Sequence, residues 1–174
     1  MNRLAERKNR EGERGSILTM SAISMVALLL ATGLAVDVSH FYTAKVELQN
    51  AADAAALAAA SQLNSTPGGI KCAVTEATKS LNTYDLKTNL TINSADITFA
   101  TNLNGTYVDV ASAIASPTNI RFVKVAIPPK PVGVTFAAIA LGLTETIPAQ
   151  ATARLSIGLT GTQMSELPFP VLYK

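Results

Sequence analysis

A run of twenty residues without a charged side chain, Ile17–Val36, constrains the fold of this chain more than any other feature. As an α-helix rising about 1.5 Å per residue, the run would be about 30 Å long, which matches the hydrocarbon core of a bilayer. Asp37 follows it directly. We therefore predict a transmembrane helix over residues 16–37. The large apolar side chains expected to anchor it in lipid include Ile17, Leu28, Leu29, Leu30 and Val36.

The excess positive charge of the chain lies entirely before this run. The net charge is +2, and residues 1–14 hold five Arg and Lys against three Glu, so the rest of the chain is neutral. The positive-inside rule then places a basic tail, residues 1–15, in the cytoplasm and the residues after about 37 on the opposite side. A folded part without a basic excess is not expected to bind nucleic acid.

A cleaved signal peptide is the alternative explanation of the apolar run. The small residues at 33–35 could then form a cleavage site, and the mature chain would begin at Val36. The run is long for that role, however, and the helical pattern continues beyond it. We therefore favour a retained anchor.

An amphipathic helical pattern extends from the anchor into the next 27 residues. No Gly or Pro occurs from Leu34 to Thr66, so we predict one helix from about residue 16 to about residue 63, with residues 38–64 outside the membrane. Eight of the thirteen residues in Leu48–Ala60 are alanine, which favours helix and lets a neighbouring element approach closely.

One face of this alanine-rich stretch is predicted to pack on the sheet of the head. The face is expected to carry Ala52, Ala55 and Ala59 together with Leu48. Lys45 and Gln49 are expected to point away from it.

The rest of the chain predicts a small α+β head, residues 65–160, followed by an irregular tail, residues 161–174. The segment NSTPGG, 64–69, should end the long helix, and a short helix should run from Lys71 to about Asn82. Alternating apolar and polar residues predict strands within NLTINSADITFAT, GTYVDVASAI, NIRFVKVAI and TIPAQATARLSIG. A turn is expected at Asn102–Gly105, the end of the third strand at Pro128–Pro131, and an apolar helix at Val134–Gly142.

The predicted fold class is therefore α+β. A long N-terminal helix, transmembrane in its first half, would pack on a small antiparallel sheet of about four strands with one or two short helices.

The chain carries no recognisable catalytic or metal-binding pattern. GxSxG, Walker, CxxC and HExxH patterns are all missing. His40, the only histidine, is expected at the membrane interface. Asp37 and Asp53 are sixteen residues apart on one helix, too far to act as a catalytic pair; Asp37 should end the membrane span, and Asp53 should make a hydrogen bond or a surface contact. Cys72 is the only cysteine, so no intrachain disulfide can form. We expect no enzymatic activity, no cofactor and no small-molecule substrate.

The segment GLAVDVSHFYTAKVELQNAADAAALAAA resembles the amino-terminal segment of the TadE/TadG-like proteins of bacterial Flp pilus assembly. That segment reads as an apolar helix, then an aspartate, an aromatic residue and a run of leucine, glutamine, aspartate and alanines. The matching residues are Asp37, Tyr42, Leu48, Gln49, Asp53, Ala54, Ala55, Ala56 and Leu57. A weaker resemblance covers residues 120–155, where related proteins often show paired strands, an apolar helix and a closing strand of alternating Ala and Thr.

The resemblance implies a single-pass inner-membrane protein of pilin-like shape, with its head in the periplasm or in a surface pilus. It also implies a structural or assembly role in a tight-adherence (Flp) pilus or related secretion apparatus, similar to that of a minor pilin. The implied partners are membrane lipid and other pilus-assembly proteins or pilin helices, in homo- or hetero-oligomers. A membrane-tethered binding module of the cell envelope, unrelated to pili, is the alternative function.

Two features depart from related proteins. Some TadE/TadG-like proteins carry a von Willebrand factor A-type domain, for which this chain has no room. Prepilin-like members carry a glutamate five residues after their processing site, but if Gly15 ended a leader, that position would be Met20. We therefore expect the N-terminal residues to be retained.

Overall fold

The computed structural model describes residues 3–79, 82–85, 87–142 and 145–155. Its longest element is a single uninterrupted helix, α1, which spans Arg3–Ser61. The prediction that the anchor and its continuation form one helix is confirmed, and the helix ends close to the predicted position. It begins at Arg3 rather than near residue 16, because Leu, Ala, Glu, Arg and Lys dominate its first turns and all favour helix.

The apolar part of α1 presents its side chains outward. Ser16–Ser61 is the one helical stretch, within the described residues, that is long and apolar enough to cross a membrane; its most apolar window has a mean hydropathy of 2.1 and is 6% buried. An exposed apolar surface of this extent suits a lipid environment. The five predicted anchor residues are all more than half exposed: Ile17, Leu28, Leu29, Leu30 and Val36.

The chain forms two compact units, and α1 contributes to both. Unit 1 draws its described residues from the ranges Met1–Asn50, Asn82–Leu90 and Ile127–Ala149. Unit 2 draws its described residues from the ranges Ala51–Leu81, Thr91–Ala126 and Gln150–Lys174.

Unit 1 combines the first part of α1 with a hairpin and a short helix. The hairpin pairs β1, Asn82–Tyr84, with β2, Thr88–Leu90, in antiparallel register. The short helix, α4, spans Phe136–Leu141 and ends at Gly142, whose φ of 64° is the left-handed conformation that favours glycine at a helix C-terminus. The prediction of an apolar helix closed by Gly142 is thereby confirmed.

Unit 2 begins with the alanine-rich end of α1 and the second helix, α2, Pro67–Lys79. This helix starts four residues earlier than Lys71, because Thr66 Oγ1 accepts a hydrogen bond from the Gly69 amide and Pro67 suits the first helical position. Ile70, Ala73 and Ala77 lie on its buried side.

The sequence pattern over residues 89–101 indicates one strand, which is longer than any strand that the structure has there. The predicted strand over residues 89–101 divides into β2, a 3₁₀ turn at Ser94–Asp96 and β3, Ile97–Ala100. Strand β3 pairs antiparallel with the start of β4, Phe122–Val132, from Ile97↔Val125 to Ala100↔Phe122. The turn at Asn102–Gly105 is confirmed by a hydrogen bond of 3.1 Å from the Gly105 amide to the Asn102 carbonyl.

The predicted strand GTYVDVASAI is wrong. Only Val108 forms a bridge, with Phe99, and the chain then enters a helix, α3, Val110–Ala115. Asp109 begins this helix as its N-cap and accepts a hydrogen bond of 2.9 Å from the Ser112 amide. Hydrogen bonds from the Ser112 side chain and amide lower the pKa of Asp109 below its ordinary value. The N-cap and the helix-favouring alanines therefore override the alternating pattern.

The prediction that Pro128–Pro131 ends a strand is also wrong, since β4 continues through these prolines to Val132. The sheet order is β3-β4-β5, with β5 at Glu145–Arg154. Strand β3 pairs with β4 only as far as Val125, so the prolines lie where that edge of β4 has no β3 partner. Proline lacks an amide hydrogen and is tolerated at such an edge.

The last predicted strand is confirmed over the described residues. Buried and exposed residues alternate strictly along β5 from Thr146 to Arg154, and the Leu155 amide bonds to the Arg121 carbonyl at 3.2 Å. The end of the predicted strand, residues 156–158, and the predicted irregular tail, residues 161–174, lie outside the described residues.

The alanine face of α1 is buried. Ala52, Ala55 and Ala59 have no exposed surface and neither has Leu48, whereas Lys45 is exposed and Gln49 is partly exposed. This burial agrees with the predicted face, and its packing on the sheet remains a prediction.

We expect Ala55→Phe to destabilise the protein by about 1–3 kcal/mol, because a ring at a fully buried alanine overpacks the contact. Ala54→Phe is the matched control, since Ala54 is the exposed neighbour and its substitution should cost less than about 0.5 kcal/mol. Denaturant unfolding of both detergent-solubilised variants measures the difference. Equal midpoints would show that the buried alanine face tolerates a large ring.

Candidate functional site

A cluster of polar side chains lies on α1 directly after the anchor. Asp37, His40 and Glu47 fall on one side of the helix, since their spacings of three and seven residues are close to whole turns. They contact the β1–β2 hairpin and the segment that precedes α4, and every contact lies within unit 1. We call Asp37, His40, Glu47 and Asp85 the polar cluster.

Asp37 binds the amino end of α4. One carboxylate oxygen accepts a hydrogen bond of 3.0 Å from the Thr135 amide, and the other accepts one from the Ala137 amide. The first amides of a helix have no partner within the helix and attract negative charge. The Thr135 side chain makes no capping hydrogen bond of its own, so Asp37 satisfies these amides from α1.

Asp37 is also the buried charged residue of the described part of the chain, at 4% exposure. A buried carboxylate is costly unless hydrogen bonds replace its water. The two amides of α4 supply those bonds. Asp37, which is expected from the sequence at the end of the membrane span, thus ties α4 to the end of the apolar run.

Gly33 reinforces this attachment one helical turn before Asp37. A Cβ atom placed on Gly33 would lie 2.5 Å from Cγ and Cδ1 of Phe136, the first residue of α4. Real Cβ atoms do not approach other atoms so closely, so glycine is what allows the Phe136 ring to lie against the α1 backbone.

His40 is held between two hydrogen-bond acceptors. Its Nδ1 lies 2.8 Å from the carbonyl oxygen of Gly133, and its Nε2 lies 2.8 Å from Oδ1 of Asp85. Both ring nitrogens thus face an oxygen atom, and the ring links the segment before α4 to the turn between β1 and β2.

Asp85 connects the hairpin to α1 and to the segment that precedes α4. Its Oδ2 accepts a hydrogen bond of 3.2 Å from the Gly133 amide, and its own amide donates one of 2.8 Å to Oε2 of Glu47. Asp85 has a φ of 49°, in the left-handed region that aspartate tolerates better than most residues. The turn between β1 and β2 is thus fixed on α1 by one hydrogen bond from its main chain to Glu47 and by the contact of 2.8 Å between Asp85 and His40.

The polar cluster borders an open cavity of about 280 Å³. The lining residues are His40, Thr43, Glu47, Thr83, Asp85 and Lys87. Within the described residues, no group of three or more His, Cys, Asp and Glu side chains could hold a metal ion. The hydrogen bonds of the cluster join three segments of unit 1, so its evident task is to hold the fold together.

The predicted site residues divide between two sides of α1. Asp37, Leu48, Ala52, Ala55 and Ala59 are buried, whereas Tyr42 and Leu57 are each 65% exposed. Asp53 is exposed and Gln49 is partly exposed. The assembly role of all of these residues remains a prediction. The pairing of His40 with Asp85 was missed, since nothing in the sequence links residues 45 positions apart.

Residues 15–62 match the family model described as "Putative Flp pilus-assembly TadE/G-like". The match confirms the resemblance drawn from the aspartate, the aromatic residue and the alanine run. It extends from the start of the anchor to the end of α1, and it supports a role related to pilus assembly. Neither the curated proteins nor the solved structures provide a significant match.

We expect Asp37→Asn to loosen the amino end of α4. Asparagine has one acceptor oxygen, so its NH₂ group would face one of the two amides that the carboxylate now binds. Amide hydrogen exchange at Thr135 and Ala137 should accelerate in the detergent-solubilised protein. Asp53→Asn, an exposed change on the same helix, is the control and should leave both rates as they are. Unchanged exchange in Asp37→Asn would mean that α4 does not depend on this carboxylate.

Proposed function

We propose that this protein is a membrane-anchored structural component of a tight-adherence (Flp) pilus or a related secretion apparatus, with a role similar to that of a minor pilin. The family match over the anchor and α1 supports the pilus-assembly context. The minor-pilin-like role rests on the division of α1 into a buried face and an exposed apolar face.

The exposed face continues the anchor into the extramembrane part of unit 1. Val38, Tyr42 and Val46 recur every four residues and are 48%, 65% and 55% exposed. We call these three residues the exposed stripe. Residues at this spacing lie on one side of a helix, here opposite the buried Ala44 and Leu48. A continuous apolar stripe on an anchored helix suits the flank of another helix, such as that of a pilin or of an assembly protein.

The polar cluster fits a structural role better than a catalytic one. Its carboxylates and its imidazole bind main-chain groups or one another, which fixes α4 and the hairpin on α1. Because α4 and the hairpin are fixed on α1, a force applied to them would be transmitted to the membrane helix. This proposed role requires no substrate and no cofactor.

We expect Tyr42→Glu to abolish the binding of pilus-assembly partners without unfolding the head. A charge in the exposed stripe would be desolvated on contact with an apolar helix, whereas Tyr42 is 65% exposed, so its replacement should disturb the head little. The test is affinity purification of the full chain from detergent extracts of its native cells, followed by mass spectrometry of the bound proteins. Thr75→Glu, at an exposed position of α2, is the matched control.

Recovery of pilus-assembly proteins with the wild type and the control, but not with Tyr42→Glu, is the expected result. Recovery of envelope ligands alone would favour the alternative, a membrane-tethered binding module unrelated to pili. Equal recovery with both variants would place the partner contact elsewhere.

We further propose that the anchor crosses the inner membrane once, with residues 1–15 in the cytoplasm and the head in the periplasm or in a surface pilus. The support is the confinement of the excess positive charge to residues 1–14. The anchor itself is compatible with a single crossing.

Cys72 provides a direct test of this topology, since it is an exposed free thiol and the only cysteine in the chain. A membrane-impermeant maleimide should label it in cells whose outer membrane alone has been permeabilised. The matched control moves the thiol to the tail by combining Cys72→Ser with Asn2→Cys, and this variant should react only after the inner membrane is lysed. The reverse labelling pattern would invert the proposed topology.

A further inference from the structure

The segment around α4 is free of charge over fourteen residues. Between Lys130 and Glu145 the sequence reads PVGVTFAAIALGLT. Within it, Phe136 is 45% exposed, an unusual position for a large aromatic ring in a water-soluble head. An uncharged segment with an exposed ring calls for an explanation in terms of its surroundings.

The contacts of α4 place it beside the last turn of the anchor. Phe136 lies against Gly33, which is three residues before the end of the uncharged run at Val36. At about 1.5 Å per residue, Gly33 is about 5 Å inside that end. Asp37 binds the two amides on either side of Phe136 and so fixes α4 at this level.

Main-chain amides at the amino end of α4 have hydrogen-bond partners within the protein, which a region poor in water would require. Unsatisfied amides at a helix start are costly away from water. Two of these amides are bound by Asp37, and at the other end the Gly142 amide bonds to the Ala138 carbonyl at 3.0 Å. Three of the main-chain amides that a membrane would penalise, those of Thr135, Ala137 and Gly142, are thus bonded within the protein.

We propose that α4 and its uncharged flanks, residues 131–142, form a second membrane contact, which lies in the interfacial layer of the leaflet next to the head. The partner is the lipid boundary between headgroups and acyl chains, where aromatic rings such as that of Phe136 are favoured. The inference rests on the proposed anchoring of α1 and goes beyond it, because it makes part of the head a membrane-binding surface.

Tryptophan fluorescence tests this contact, since the chain contains no tryptophan. Three single-tryptophan variants of the full chain would be reconstituted in phosphatidylcholine vesicles: Leu28→Trp within the anchor, Phe136→Trp on α4, and Asn50→Trp on α1. Asn50 is exposed and lies thirteen residues beyond Asp37, about 20 Å farther along the helix. Quenching by phosphatidylcholine with brominated acyl chains reports contact with lipid, and quenching by acrylamide reports contact with water.

We expect bromolipid to quench Leu28→Trp most and Asn50→Trp least, with Phe136→Trp clearly above Asn50→Trp and shielded from acrylamide relative to it. Thr135→Trp repeats the test with an exposed side chain that makes no capping bond, in case a larger ring against Gly33 disturbs the fold. If both α4 variants behave like Asn50→Trp while Leu28→Trp is quenched, the second contact is refuted and the anchor stands. If bromolipid leaves Leu28→Trp unquenched, the anchoring itself fails.

Discussion

The hydrogen bonds between the Asp37 carboxylate and the first amides of α4 are the interaction on which the arrangement of unit 1 depends. They join two groups that are each costly to bury alone: a charge at the end of an apolar helix and the free amides of a short helix. Six helical residues have little stability of their own, so α4 needs a partner at its start. The Asp37 carboxylate receives the hydrogen bonds that its own burial requires, and the same bonds give α4 a partner at its start.

Small residues on α1 make these contacts possible. Gly33 leaves room for Phe136 against the helix backbone, and in unit 2 six of the eight alanines in the Ala51–Ala60 stretch are buried with little side-chain volume. A larger side chain at position 33 would hold Phe136 away from α1 and leave the amides of α4 out of reach of Asp37. The alanine-rich composition of this stretch therefore serves close packing as well as helix formation.

Local features of the fold were predictable from the sequence, because they depend on residues that are neighbours in the chain. The anchor and the unbroken helix follow from composition and periodicity, and Gly142 and the alternation in β5 mark their elements directly. The strand predicted at residues 105–114 failed because Asp109 caps a helix there. The prolines of β4 were misinterpreted because their tolerance depends on how far β3 extends, which no local pattern reveals.

The candidate site was predictable only in part, for the same reason. The family motif drew attention to Asp37, but its partners lie about a hundred residues away, and His40 and Asp85 have no local signal that joins them. Only the fold brings these residues together, and each then has the other's polar groups as hydrogen-bond partners. Asp85 and the Gly133 carbonyl hold the His40 ring between two oxygen atoms, and the amides of α4 supply the hydrogen bonds that the buried Asp37 carboxylate needs.

The residues of the family motif therefore act in two different ways, although they are adjacent in sequence. Asp37, Leu48 and Ala55 face inward, and their substitution should act through the fold of the head. Tyr42 and Leu57 face outward and contribute nothing to the buried core, so the fold alone gives no reason for an exposed aromatic ring and an exposed leucine at these positions. Water exposure of large apolar side chains is unfavourable, which makes a partner surface the simpler physical explanation of the outward residues. Asp37 fixes α4 on α1, and His40 and Glu47 fix the hairpin, so α1 can present Tyr42 to a partner in one orientation relative to both.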